Sequence, residues 1–170
     1  TISADGSTIT EVASLEHDTA KGQHNSLVQV DSDTYALAYG GGSGYSVAGF
    51  ISTFTISADG STITEVATLE HDASYGRYNS FVQVDADTYA LAYEGAALDG
   101  FISTFTIDGS SSTFTEVASL EHDTTFGSKN SLVKVDADTY ALAYTDVDED
   151  GLISTFTISA DGSTITEVAT

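Results

Sequence analysis

The chain is a tandem repeat whose unit is too small to fold alone. Residues 55–105 align without gaps on 106–156, with 32 of 51 positions identical. Residues 1–54 carry the same unit with three extra residues. Residues 157–170 reproduce 1–13 and then place Thr170 where the first copy has Ser14. A unit of this length cannot bury its own apolar face, so neighbouring units must supply the other half of each core.

Each unit reads as four strands. In the second unit these are 80–84, 88–93, 101–107 and 112–120, each mixing β-branched or aromatic residues with small polar ones at period two. Tyr89, Leu91 and Tyr93 fall on one face and Ala90 and Ala92 on the other. Large residues facing small ones let successive sheets interdigitate. No 3.6-residue apolar stripe occurs, so helix is expected to be nearly absent. The turns are short: residues 84–88 join the first strand to the second, and Asp59-Gly60 sits in the third-to-fourth hairpin. Residues 70–79 read as the longer passage to the next unit. Four antiparallel strands with tight hairpins in 51 residues describe a β-propeller blade, and the expected fold is an all-β propeller of four-stranded blades. A stack of small sandwiches is the alternative.

The predicted organisation is a single repeat domain, 1–170, with units 1–54, 55–105 and 106–156 and a partial unit 157–170. Propellers usually close with about four to eight blades, so three complete units leave a ring unfinished. Two chains are expected to close a six-bladed ring as a homodimer, or the units belong to a longer array. Residues 7–14 and 163–170 then compete for one outer-strand position.

The net charge is −22, from 26 acidic and 4 basic side chains. Nucleic acid and anionic membranes need a positive field and are poor partners. No apolar run approaches the length of a membrane helix. There is no Cys, so disulfides and thiolate metal sites are excluded. An acidic, Ser- and Thr-rich repeat suits an extracellular or cell-surface setting, with any signal peptide outside this chain.

Comparison among the units separates constant from variable parts. The hairpins 30–34, 84–88 and 135–139 barely change. Variation gathers in the inter-unit segments 19–24, 73–78 and 124–129, and in the second-to-third links 40–49, 94–100 and 145–151. In an up-and-down blade these two connections emerge on the same side, and loops on a rigid scaffold are the usual seat of recognition. The candidate ligand-binding residues are therefore Lys21, His24, Tyr45, Tyr75, Arg77, Tyr78, Phe126 and Lys129. Duplication followed by drift would leave the same variation.

Other clusters carry weaker chemistry. Asp146, Asp148 and Asp150 alternate and precede Gly151, an arrangement that can wrap oxygens around Ca²⁺. The loop resembles the start of an EF-hand loop and the calcium loops of integrin-like propeller repeats, although Thr157 stands at the twelfth position. Ca²⁺ is the only cofactor these residues imply. His17, His71 and His122 recur in Leu-Glu-His-Asp, and repetition favours a structural imidazole contacting the next blade over a catalytic one. The 3–8 turn and its copies at 57 and 159 resemble Asp-box turns of sialidase-like propellers, with the glycine displaced by one.

By repeat length and strand pattern the chain resembles bacterial-type β-propeller repeat proteins over nearly its whole length. That resemblance implies a non-enzymatic extracellular recognition or structural platform. The aromatic and basic loop residues beside carboxylates suit a sugar or peptide, so the expected function is a recognition or adhesion module, carbohydrate-binding or lectin-like in chemistry. The alternatives are a purely structural array with calcium-stabilised loops and, from its paired acids, a glycoside hydrolase.

Overall fold

The computed structural model describes residues 1–42, 47–109 and 113–170. Its strands form three separate four-stranded antiparallel sheets, each hydrogen-bonded in chain order. The first holds β1 (Gln23–Gln29), β2 (Thr34–Gly41), β3 (Ala48–Ile56) and β4 (Ile63–Asp72). The second holds β5 (Arg77–Gln83), β6 (Thr88–Glu94), β7 (Gly100–Asp108) and β8 (Thr113–Asp123). The third holds β9 (Ser128–Lys134), β10 (Thr139–Thr145), β11 (Gly151–Ile158) and β12 (Ile165–Ala169). A 3-10 turn at Ala96–Leu98 is the only helical element among the described residues.

The sheets stack as blades, and their cores lie between them. Ala36, Ala38 and Ile51 on the back of the first blade meet Phe81, Tyr89, Leu91, Tyr93 and Phe105 on the front of the second. Ala90, Ala92 and Ile102 meet Leu132, Tyr140, Leu142, Tyr144 and Phe156 in the same way. The small-against-large faces read from the sequence are thus the two inter-blade interfaces. Register repeats as well: Leu37 opposes Ser52, Leu91 opposes Ser103 and Leu142 opposes Ser154. Those buried serines are satisfied by the fourth strand, with Ser52 Oγ 2.7 Å from Thr68 Oγ1 and Ser103 Oγ donating to Ser119 Oγ at 2.8 Å.

The Asp-Gly hairpins form as expected. Asp59 Oδ1 accepts from Ser57 Oγ, Ser61 N and Ser61 Oγ, while Gly60 takes φ 72°, a left-handed value that glycine adopts without strain. The inter-unit passage is shorter than expected. Glu70 to Asp72 belong to β4 and Arg77 onward to β5, leaving 73–76 as the link. The strand persists because His71 packs on Tyr93 of the next blade, ring centroids 4.8 Å apart. Asp72 Oδ1 then ends it by accepting the Ser74 and Tyr75 amides.

The two terminal copies are placed differently in the single chain. β12 pairs with β11, while residues 7–14 enter no sheet and make only the isolated Ile2–Ile9 bridge within their own hairpin.

Candidate functional site

β1, β5 and β9 run side by side as the first strands of their blades. Ser26 Oγ accepts the Phe81 amide and Ser80 Oγ the Leu132 amide, tying each to the next. Each begins with an irregularity in its pairing to the second strand, between Gln23 and Ser26, between Arg77 and Ser80, and opposite Ala143 and Thr145. At each irregularity one non-glycine residue is left-handed: His24 at φ 56°, Tyr78 at 51° and Lys129 at 56°. Side chains rarely adopt this conformation, and here it recurs at three equivalent positions that differ in chemistry. The bulges turn these side chains out of the alternation that would otherwise bury them between blades.

A cleft of about 320 Å³ lies beside the second and third bulges, lined by Arg77, Tyr78, Glu94, Leu98, Phe126, Ser128, Lys129, Thr145 and Glu149. Both variable connections reach it. Glu94 is buried at the end of β6, opposite Arg77 in register, with Nη1 and Oε1 3.8 Å apart. Burial raises the Glu94 carboxyl above the ordinary carboxylate range, against the opposing pull of a Ser128 hydrogen bond and the Arg77 charge. His24 lies against Tyr78, ring centroids 4.4 Å apart, and its carbonyl accepts from Asn79 Nδ2 at 3.1 Å. Burial, and then the Arg77 charge, lowers the His24 pKa, which favours the neutral imidazole. The Arg77 guanidinium itself stands 4.6 Å over the Tyr75 ring.

The structure therefore brings together most of the residues selected from sequence. Arg77, Tyr78, Phe126 and Lys129 line one cleft, with His24 and Tyr75 in contact with its walls. Lys21 occupies the matching link before the first blade, its amide donating to Asp18 Oδ1. Tyr45 lies outside the described residues. Glu94 and Ser128 were not selected; the signal was available, because Arg77 and Glu94 stand where the first unit has Gln23 and Gly40, so acid and base arrive together in one unit.

The acidic loop closes on itself. Asp146 Oδ1 accepts the Asp148 and Asp150 amides, and Glu149 takes φ 65°. Among the described residues no three His, Cys, Asp or Glu side chains converge as a metal site, so the integrin-like calcium resemblance is not shown. The recurring histidines contact the next blade as expected, but by ring packing: His122 stands 4.7 Å from Tyr144, and neither nitrogen of His71 or His122 has a hydrogen-bond partner.

No protein-family model matches the chain, and no curated protein matches it in sequence. Solved structures do. A periplasmic gluconolactonase from Pseudomonas aeruginosa matches with TM-score 0.67 at 14% identity, over 98% of this chain and 49% of that one. A protein from Lactobacillus plantarum matches with TM-score 0.64 at 18% identity, over 98% and 48%. A candidate 6-phosphogluconolactonase from Bacteroides fragilis matches with TM-score 0.60 at 16% identity, over 84% and 36%. The chain thus spans less than half the length of each of these three structures. These likenesses establish a propeller-like fold. They also overturn the expectation of a non-enzymatic recognition or adhesion module, because two of the matched folds bear the names of lactone-hydrolysing enzymes.

Proposed function

We propose that the chain carries three blades of a lactone hydrolase, with the cleft at the first-strand bulges as its active site. The observation that carries this reading is a cleft holding two cationic side chains and a buried acid, with the His24 imidazole packed on its Tyr78 wall, on a fold like that of the named lactonases. Opening a lactone requires a base for the attacking water and positive charge where the carbonyl oxygen becomes an oxyanion. His24, kept unprotonated by burial and by Arg77, is the base. Arg77 and Lys129 supply the positive charge, and Glu94 orients Arg77 across the strand pair. The water oxygen bonds to the carbonyl carbon, the ring C–O bond breaks, and the proton held on His24 passes to the leaving oxygen to give a hydroxy acid. Tyr78 and Phe126 offer apolar faces to the ring. The acidic composition and the periplasmic origin of one matched protein support a site of action outside the cytoplasm.

The test is hydrolysis of glucono-1,5-lactone, followed by proton release with the spontaneous rate subtracted. His24→Gln should lower kcat by about 100-fold or more, the usual contribution of a general base. The wild-type rate should rise with pH along a limb centred below the ordinary histidine value of 6.5 and then level. A wild-type rate equal to the spontaneous one, or a His24→Gln rate equal to wild type, refutes the assignment.

A further inference from the structure

Each end of the blade stack is half of a junction that the chain already makes twice. At both internal junctions a histidine from one blade's fourth strand lies on a glycine at the start of the same blade's third strand. A Cβ added to Gly49 would stand 2.5 Å from His71 Nε2, and one added to Gly100 would stand 2.5 Å from His122 Nε2. The link to the next blade brings another glycine onto the same spot, so that side chains at Gly76 and Gly127 would run into Gly49 and Gly100. Gly151 is the third member of the Gly49 and Gly100 series, and an added Cβ there meets nothing within 4 Å.

The missing pieces for Gly151 stand at the other end of the chain. His17 packs on Tyr39 at 4.7 Å, as His71 packs on Tyr93 at 4.8 Å. Gly22 lies against His17, where its Cβ would stand 2.7 Å away. The apolar faces tell the same story. Leu27 is 57% exposed while its counterparts Phe81 and Leu132 are 6% and 3% exposed. Ile153 is 68% exposed while Ile51 and Ile102 are fully buried. The front of the first blade carries the large residues Leu37, Tyr39 and Phe54, already shielded within the single chain, and the back of the last carries the small Ala141 and Ala143 beside Ile153.

We infer that a second copy of this chain docks head to tail, with His17 and Gly22 of one copy on Gly151 of the other and Leu27 beside Ile153. Two such contacts close a ring of six blades. A heterologous contact either closes or runs on as a filament, and closure at two copies gives six blades, within the about four to eight at which propellers usually close. Residues 8–14 approach the hairpin between β3 and β4, with Val12 Cβ 4.0 Å from the place of a Gly60 Cβ. They pair with no strand and give way to β12 of the arriving copy. The closed ring also sets His24 of one copy next to Lys129 of the other, so its mouth reads His, Tyr, Lys twice over. Docking needs none of the lactone chemistry and stands or falls separately from it.

Sedimentation velocity from about 1 to about 100 µM, the span of ordinary interface affinities, tests the contact. Wild type should sediment as two copies of 17.7 kDa, and more completely at high salt, since each copy carries −22. Gly151→Val should stay monomeric with an unchanged monomer melting temperature, because its side chain enters open space in the single chain. Leu27→Arg should also be monomeric. An equimolar mixture of the two variants should recover a dimer, since it retains one intact front and one intact back. Removing residues 1–14 should strengthen association. A monomer at every concentration, a dimer that survives Gly151→Val, a mixture that stays monomeric, or an open series beyond two copies overturns the inference.

Discussion

The buried histidines make the fold sensitive to mild acid, and the size of the effect follows from their surroundings. His71 and His122 sit between blades with no acceptor for either nitrogen. Burial lowers both from 6.5 to about 4, overriding the opposing pull of Asp72 on His71 and of Asp123 and Glu167 on His122. The unfolded chain therefore binds protons that the folded chain refuses between these values. Each shift of about 2.5 pH units corresponds to roughly 3 kcal/mol, present in full above pH 6.5 and lost as pH falls toward 4. Two sites together remove about 6 kcal/mol, comparable with the whole stability of a small domain, with a limiting slope of about 3 kcal/mol per pH unit. Glu94 has the opposite sign, because its raised carboxyl takes up a proton more readily in the folded state and offsets part of the loss. Asp5, Asp59 and Asp161, lowered to about 2 by their serine hydrogen bonds, contribute only below pH 4. Urea unfolding between pH 7.5 and 4.5 isolates the histidine window. Wild type should lose most of its stability across it, and His71→Leu/His122→Leu should be much flatter, keeping only the smaller contribution of His24. Equal slopes in the two proteins, or a flat wild type, would refute the reasoning.

Gly49→Ala should destabilise the chain by roughly 2 kcal/mol in calorimetry, since the new methyl meets His71 on one side and the Gly76 backbone on the other. The same change at Gly151 should cost nothing in the monomer, where that space is open. Titration with Ca²⁺ or EGTA should leave the melting temperature unmoved, because Asp146 already spends a carboxylate oxygen on its own loop amides and the neighbouring acids do not converge on it. A calcium-dependent rise would refute that reading of the loop.

Much of the blade was legible because it is written locally. Alternation in Thr88 to Tyr93 fixes which residues face the next sheet, and the Asp-Gly pairs fix where the third strand turns into the fourth. The same internal comparison located most of the cleft, since the variable links converge on it. What escaped was non-local. Residues 70–72 look like loop until His71 finds Tyr93 on the following blade. Glu94 reads as one more acid in a variable link, and only the antiparallel register shows it facing Arg77 and shut off from water. The calcium pattern gives spacing along the chain and not where a carboxylate points. In the structure Asp146 Oδ1 accepts two backbone amides of its own loop. The non-enzymatic reading failed for a different reason: a shared blade pattern specifies the scaffold, and the same scaffold hosts hydrolases.

The left-handed step at the start of each first strand has an evolutionary consequence. A residue in regular alternation must satisfy the sheet behind it, so replacing it disturbs a blade interface. His24, Tyr78 and Lys129 are excused from that constraint by the bulge, and one backbone shape accepts an imidazole, a phenol or an ammonium. Duplication of the unit therefore multiplies editable positions at a common address while copying the scaffold unchanged. Selection can adjust the mouth one blade at a time, without renegotiating the packing that holds the blades together.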